Sequence, residues 1–413
     1  MNRCYLKKAF AFSIIAIGTF ALLYAGNEKV LPSFLSQKYN DAIQKKKLKK
    51  EYSQSIVGFG DSSTIIEPNI RTFEQEKKTS LRTTSKELAF EFSGLSSNIK
   101  VYNADNKDGS LKYGGQNLKF AWLMSFPNSG TSYTLKMISR ISERTTATNY
   151  GKEHEDTSGN SFVFGPKYTH GPFRSYEDYP IPDGYILTKT HCGSRCTSCH
   201  PNRYVETEWS FLQECLSGHR EIHFDDEVFI EKKAYSQDYI KRAVHLIRDP
   251  FDNIVSRFHL NWNHKSKLQD HQWLESHPRN AEGFQKWCQD ADLEYVLEEK
   301  AMHYRNIPNF YDIPCRAEFF KYIQWHNRAF QVIEKMDIPE LVIHYEDYKE
   351  SFNQTISTIA SFLELEVVGE APEYFWSDYS AYYSESQHEY IVNMIQSLST
   401  KTTWNKLAER YNF

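Results

Sequence analysis

From about residue 118 onward the chain alternates short apolar runs with amphipathic segments. The runs are KFAWLMSF (119–126), GYILTKTH (184–191), AVHLIRDP (243–250) and ELVIHYED (340–347), and a helical pattern follows the first, third and fourth. This alternation predicts an α/β fold, a P-loop-like central parallel sheet flanked by helices. After the fourth run, Phe352, Ile356, Ile359 and Leu363 recur at spacings of four, three and four, on one helical face. Their expected role is core packing. The chain shows no internal repeat.

Ahead of this domain, placed at 118–413, residues 26–117 are polar and charge-rich, with QKKKLKKE at 44–51, and read as a largely disordered stem. Arg3, Lys7 and Lys8 precede a seventeen-residue apolar run at 9–25. That run is a signal-anchor transmembrane helix or a cleaved signal peptide. Leu23, three before a cleavage after Ala25, is not small, which favours the anchor. Residues 1–8 then stay cytosolic and the rest is luminal, or secreted if the signal is cleaved.

With 413 residues, 40% hydrophobic and 15% aromatic, the chain can bury a sizeable core. Its 49 basic against 53 acidic residues leave a net charge of -4, so no bulk positive field argues for nucleic acid. Of the seven cysteines, Cys4 falls in the tail, leaving Cys192, Cys196, Cys199, Cys215, Cys288 and Cys315 in an oxidising compartment. One to three disulfides are expected, at least one involving the 192–215 cluster. CTSCH also fits a haem c attachment pattern, and His191, Cys192, Cys196, Cys199 and His200 are assemblable into a zinc site. Asn353 opens the sole N-glycosylation sequon.

Candidate chemistry concentrates in SFPNSGTSYTL, at 125–135. A strand ends at Phe126, Pro127 stiffens the exit, and Gly130 lets the backbone approach an anion. Thr131 and Ser132 add hydroxyls where a helix begins, and its free N–H groups and positive dipole end face the anion. The GKS or GKT of a nucleotide triphosphatase is absent. Alone, the stretch also suits an ordinary strand-turn-helix junction.

Three further stretches, in order, carry a resemblance. SFPNSGTSYTL resembles the 5′-phosphosulfate loop of sulfotransferases that use 3′-phosphoadenosine 5′-phosphosulfate (PAPS), and HLIRDPFDNIVSRF their 3′-phosphate motif. LTKTH is similar to the strand ending with the catalytic Lys and His of the cytosolic branch, and IHYEDYKESFNQTISTIASFLEL to the strand and helix near the adenine. The resemblance implies that Pro127, Asn128, Ser129, Gly130, Thr131 and Ser132 form the loop around the 5′-phosphate and sulfonate, and that Tyr133 replaces an adenine-stacking aromatic. It implies that Arg248 and Ser256 bind the 3′-phosphate and that Tyr345 lies beside the adenine. It also makes His191 the general base and Lys189 a lysine near the sulfonate. Each has an ordinary structural reading too: a surface ion pair for Arg248, a helix hydroxyl for Ser256, a strand-end lysine for Lys189, a core histidine or metal ligand for His191.

Two departures stand out. Asn128 replaces a loop cation, leaving Lys189 or Lys136 to compensate or turnover reduced. The Gly-rich basic segment near the C-terminus is unmatched, and TKTTWNK offers only Lys401 for the 3′-phosphate. The implied reaction is in-line attack of an acceptor hydroxyl on sulfur, with no metal and with 3′-phosphoadenosine 5′-phosphate (PAP) as product. A Golgi-membrane enzyme acting on glycan, protein or lipid hydroxyls is expected, carbohydrate first. Trp262, Trp273, Trp287, Trp325 and Trp376 are possible sugar-stacking rings, with core packing the commoner use. The competing readings are a luminal glycosyltransferase, with Asp290 and Asp292 or Asp225 and Asp226 on a metal, and a catalytically impaired PAP-binding protein. Asp290 and Asp292 sit in a helical pattern and read as a solvated face.

Overall fold

The computed structural model describes residues 111–413 except 114–115, 156–158, 165–170, 176–178, 194–205, 225–226, 297–298, 300–306 and 378. The apolar segment at 9–25, the stem, Cys196, Cys199, His200, Asp225 and Asp226 lie outside the described residues. Among the described residues no helix is long and apolar enough to cross a membrane.

Four of the strands are the four apolar runs: β1 (Phe120–Ser125), β4 (Ile186–Thr190), β7 (Ile240–Ile247) and β8 (Glu340–His344). With the short β2 (Ala147–Thr148) and β3 (Phe173–Arg174) they form one sheet in the order β8-β7-β1-β4-β2-β3. β8, β7, β1, β4 and β2 run parallel, whereas β3 pairs antiparallel to β2. The sheet is therefore largely parallel, as expected, with one antiparallel strand at its edge. Antiparallel edge strands on otherwise parallel sheets are common. β5 (Ser217–Phe224) and β6 (Glu227–Ala234) form a separate hairpin.

Both sheet faces are covered, and strand alternation assigns the residues. Phe120, Trp122 and Met124 of β1 join the larger core, while Ala121 and Leu123 join the smaller one. The smaller core holds Leu135, Ile138 and Ile141 of α1 (Thr131–Ser142) and Ile356, Ile359 and Leu363 of α6 (Phe352–Phe362) or just after it. The face read from spacing in that segment is thus buried. The larger core takes α2 (Glu208–Cys215), α3 (Pro250–Lys267), α4 (Ala281–Glu294), α5 (Arg316–Met336), α7 (Glu385–Leu398) and α8 (Lys401–Tyr411). Leu111 also packs there, ahead of the expected boundary at 118.

Two disulfides join Cys192 to Cys215 and Cys288 to Cys315. The first meets the expectation for the 192–215 cluster, and it removes Cys192 from the zinc alternative. Asp290 and Asp292 do not share a solvated face. Asp290 binds His277 and Lys286, whereas Asp292 is buried, pairing with Arg316 and accepting from the Ala317 N–H. Trp287 and Trp325 are buried in the core, Trp262 and Trp273 pack against it, and Trp376 is exposed.

Candidate anion-binding site

The loop at 126–130 connects β1 to α1 at the sheet's centre. Asn128 and Gly130 both have positive φ, 70° and 93°. Asparagine tolerates this region because its short side chain bonds locally, and glycine because it has no Cβ. At Gly130 a second constraint applies: a Cβ there would lie 2.3 Å from ring carbons of Tyr345. Gly130, at the N-cap of α1, has no side chain to cap the helix, so the first N–H groups carry the positive end of the helix dipole into the loop.

Three groups brace this loop from α3 and the end of β7. Arg248 Nη1 donates to the Asn128 carbonyl at 2.9 Å. The Asn128 amide donates to the Ser256 carbonyl at 3.4 Å. Asn253 Nδ2 donates to the Pro127 carbonyl at 3.1 Å and to Ser129 Oγ at 3.0 Å, and both Asn253 and Ser129 are fully buried. Asp249 caps α3 by accepting from the N–H groups of Phe251 and Asp252, with Pro250 at the first helical position. Arg248 is thereby held at a strand-to-helix turn. Its guanidinium lies 4.8 Å from the Tyr345 ring centre, and its Nε is buried with no hydrogen-bond partner among the described residues.

On the other side of β1, the end of β4 brings Lys189 and His191 to the start of α1. Lys189, 5% exposed, donates to Ser132 Oγ at 3.1 Å and to Glu153 Oε1 at 2.6 Å. His191 Nδ1 lies 2.9 Å from the Ser125 carbonyl. A carbonyl only accepts, so Nδ1 carries the proton and Nε2 keeps its lone pair. Burial first, then the charge of Lys189, lowers the imidazole from 6.5 to about 4, so the ring is neutral near pH 7. Behind the ring, Trp325 Nε1 donates to the His191 carbonyl at 2.7 Å, and the Tyr150 hydroxyl accepts from its N–H at 2.9 Å. Ser125 Oγ also contacts Thr131 Oγ1 and, at 3.3 Å, His191 Nδ1, linking strand end, helix start and imidazole.

The expected site residues thus converge with two qualifications. Tyr133 packs edge-on against Tyr348 and Tyr374 and donates to the Pro372 carbonyl, so its ring is already part of an aromatic cluster with Tyr345. Lys401 is not brought in. It is exposed at the start of α8, whose cap Thr400 donates its N–H to Asn327. The other end approaches the site instead: Tyr411, ~15 Å further along a helix, donates to Glu346 Oε2, and Glu346 Oε1 accepts from the Asp249 N–H. Lys136 is exposed on α1.

Sequence reading missed Glu153, Asn253 and Tyr322, and gave Trp325 only as a sugar-stacking or core ring, not as a support for His191. Tyr322 donates to the Arg248 carbonyl at 2.7 Å. A cavity of about 610 Å³ beside this turn includes Asp249, Asp252, Glu346, Glu350 and Glu385 in its lining. That carboxylate set disfavours a polyanion, and the donors suited to one are at the loop.

Residues 223–407 match the family model of the sulfotransferase domain. This bears out the resemblance over the span that holds Arg248, Ser256 and Tyr345; the loop and β4 precede it. No curated protein matches the chain. Among solved structures the chain is similar to mouse sulfotransferase SULT7A1 complexed with PAP, at 15% identity, covering 70% of this chain and 78% of that one with a TM-score of 0.27.

Proposed function

We propose that this chain, which matches the sulfotransferase domain over residues 223–407, transfers the sulfonate of PAPS to a hydroxyl acceptor, carbohydrate above all, in the lumen of the Golgi. The observation that carries the reading is convergence. An uncapped helix start, Lys189 and a neutral His191 meet at one end of β1, and Arg248 flanks the same loop.

The residues fit PAPS at its most distinctive groups. Arg248 keeps a buried Nε without a hydrogen-bond partner among the described residues, a donor that a 3′-phosphate would satisfy in charge-assisted form. Ser256 stands on the α3 turn beside Asn128. The loop N–H groups, Thr131 and Ser132 would hold the 5′-phosphate and sulfonate, and Tyr345 would border the base. PAPS supplies an activated sulfonate whose phosphate leaves on attack.

The chain's own residues supply the rest. His191 Nε2 accepts the proton of the attacking hydroxyl, while Nδ1–H stays anchored on the Ser125 carbonyl and fixes the ring. Lys189 already reaches Ser132, so its charge lies where negative charge grows on the sulfonate and the leaving oxygen. Glu153 holds Lys189 from the opposite side. Luminal placement is supported by the two disulfides, which persist in oxidising compartments. Calorimetry tests the nucleotide assignment: Arg248→Ala should weaken PAP more than adenosine 5′-phosphosulfate, since both lose the brace on the Asn128 carbonyl and only PAP loses the 3′-phosphate contact, and equal losses for both would contradict it.

A further inference from the structure

We infer that a buried ion triad, Arg257, Glu318 and Lys321, sets a net positive charge beneath the loop at 126–130 and strengthens its hold on anions. The inference rests on the reading of that loop as an anion site. The loop itself carries no cationic side chain. Asn128 stands at its crest, and its amide is turned to the Ser256 carbonyl.

Residue 257 follows Ser256 directly, and it lies one helical turn after Asn253, which binds the loop at Pro127 and Ser129. Arg257 therefore faces the underside of the same loop. Its guanidinium sits 4.8 Å from the ring centre of Phe126, the residue that opens the loop. It is 1% exposed, and its Nε donates to Glu318 Oε2 at 2.7 Å. Glu318 Oε1 accepts from Lys321 at 2.7 Å, and Lys321 is also buried.

Two cations thus share one carboxylate. Burial alone would raise the Glu318 carboxyl, but Arg257 and then Lys321 outweigh it and hold it at about 2, so the carboxylate stays ionised. The excess positive charge is shielded from water, where its field is screened least. Arg257 Nη1 remains buried without a hydrogen-bond partner among the described residues. Burying an unmatched cation disfavours the folded state, a cost that an anion on the adjoining loop would offset. A second buried group, Arg316 with Asp292 and Glu299, adjoins Glu318 on the first turn of α5, but burial raises the Asp292 carboxyl from 3.8 to about 7, so this group does not cancel the triad's excess charge near neutral pH. Arg257, by contrast, touches the loop's own Phe126. Arg257 is accordingly a positioning residue, acting on a bound anion through the loop.

Substitutions that change the triad's charge in opposite directions test this. Lys321→Met leaves the Arg257–Glu318 pair and removes the excess charge; Lys321→Arg keeps it; Glu318→Gln increases it. The probes are PAP and, as an anion independent of nucleotide recognition, inorganic pyrophosphate, both titrated calorimetrically into the full chain. Lys321→Met should bind each on the order of three- to tenfold more weakly, Lys321→Arg should match the wild type, and Glu318→Gln should bind more tightly. A structural role alone would weaken binding in all three. The inference is overturned if Lys321→Met binds as the wild type does, if Lys321→Arg is as weak as Lys321→Met, or if neither probe binds. Should Glu318→Gln fail to fold, the two Lys321 variants decide. Pyrophosphate following this order without PAP binding would uphold the triad and refute the nucleotide reading.

Discussion

His191 Nδ1 stands 2.9 Å from the carbonyl oxygen of Ser125, the last residue of the strand that feeds the anion loop. One strand end therefore fixes both the imidazole tautomer and the start of the loop. Because burial and Lys189 lower this histidine to about 4, the free protein holds it neutral well below pH 6.5. A bound anion beside Lys189 offsets that cation and favours the imidazolium. Ring titration by NMR should place His191 near 4 in the free protein and higher with PAP. An unchanged titration would separate the histidine from the anion.

Gly130 and Tyr345 make a second test. Gly130→Ala puts a methyl group 2.3 Å from the Tyr345 ring on a backbone at φ 93°. The left-handed conformation alone costs ~1–2 kcal/mol for a residue with a Cβ, and the ring must also shift. The variant should melt lower and lose PAP affinity. Adding Tyr345→Ala should recover part of the stability, since it removes the clash and leaves the φ penalty. No recovery in the double variant would mean that the backbone, and not the ring, dictates glycine.

Asp249 links the site to pH. Burial, with Asp252 and Glu346 nearby, raises its carboxyl from 3.8 to about 7. Between those values the folded protein keeps a proton that the unfolded chain has released. Its contribution is thus fully present below 3.8 and is lost as pH rises through about 7. Asp249→Asn retains the acceptor that caps α3 and removes the titration. Its melting temperature should fall less than the wild type's between pH 5 and pH 8. Parallel profiles would assign the linkage to other groups.

The sheet was legible because buried parallel strands read as apolar runs, and all four runs are strands. β2 and β3 were not, since two-residue strands leave no periodic signal. Gly130, Lys189, His191 and Arg248 were legible because each sits at a strand end within a recognisable stretch. Glu153 is far from Lys189 in sequence, and only the fold brings the two together. Asn253 and Arg257 gave a weak signal, two polar residues at i and i+4 in a helix that is otherwise apolar on that side. Asp292 was misread despite a usable one. Phe284, Cys288 and Asp292 recur every four residues, the first two are buried, and the aspartate shares their face. Lys401 was offered for want of a matching basic segment, and a lone lysine near the C-terminus does not tell which end of its helix approaches the site.

The most direct measurement is transfer of labelled sulfonate from PAPS by the full chain to a panel of glycans, peptides and lipids. A labelled carbohydrate is expected, its formation dropping ~10²–10⁴-fold in His191→Ala, with PAP affinity nearly unchanged. Labelled product formed at the wild-type rate by His191→Ala would remove the histidine base. No labelled product on any acceptor, with PAP released no faster than in buffer, would contradict sulfonate transfer itself.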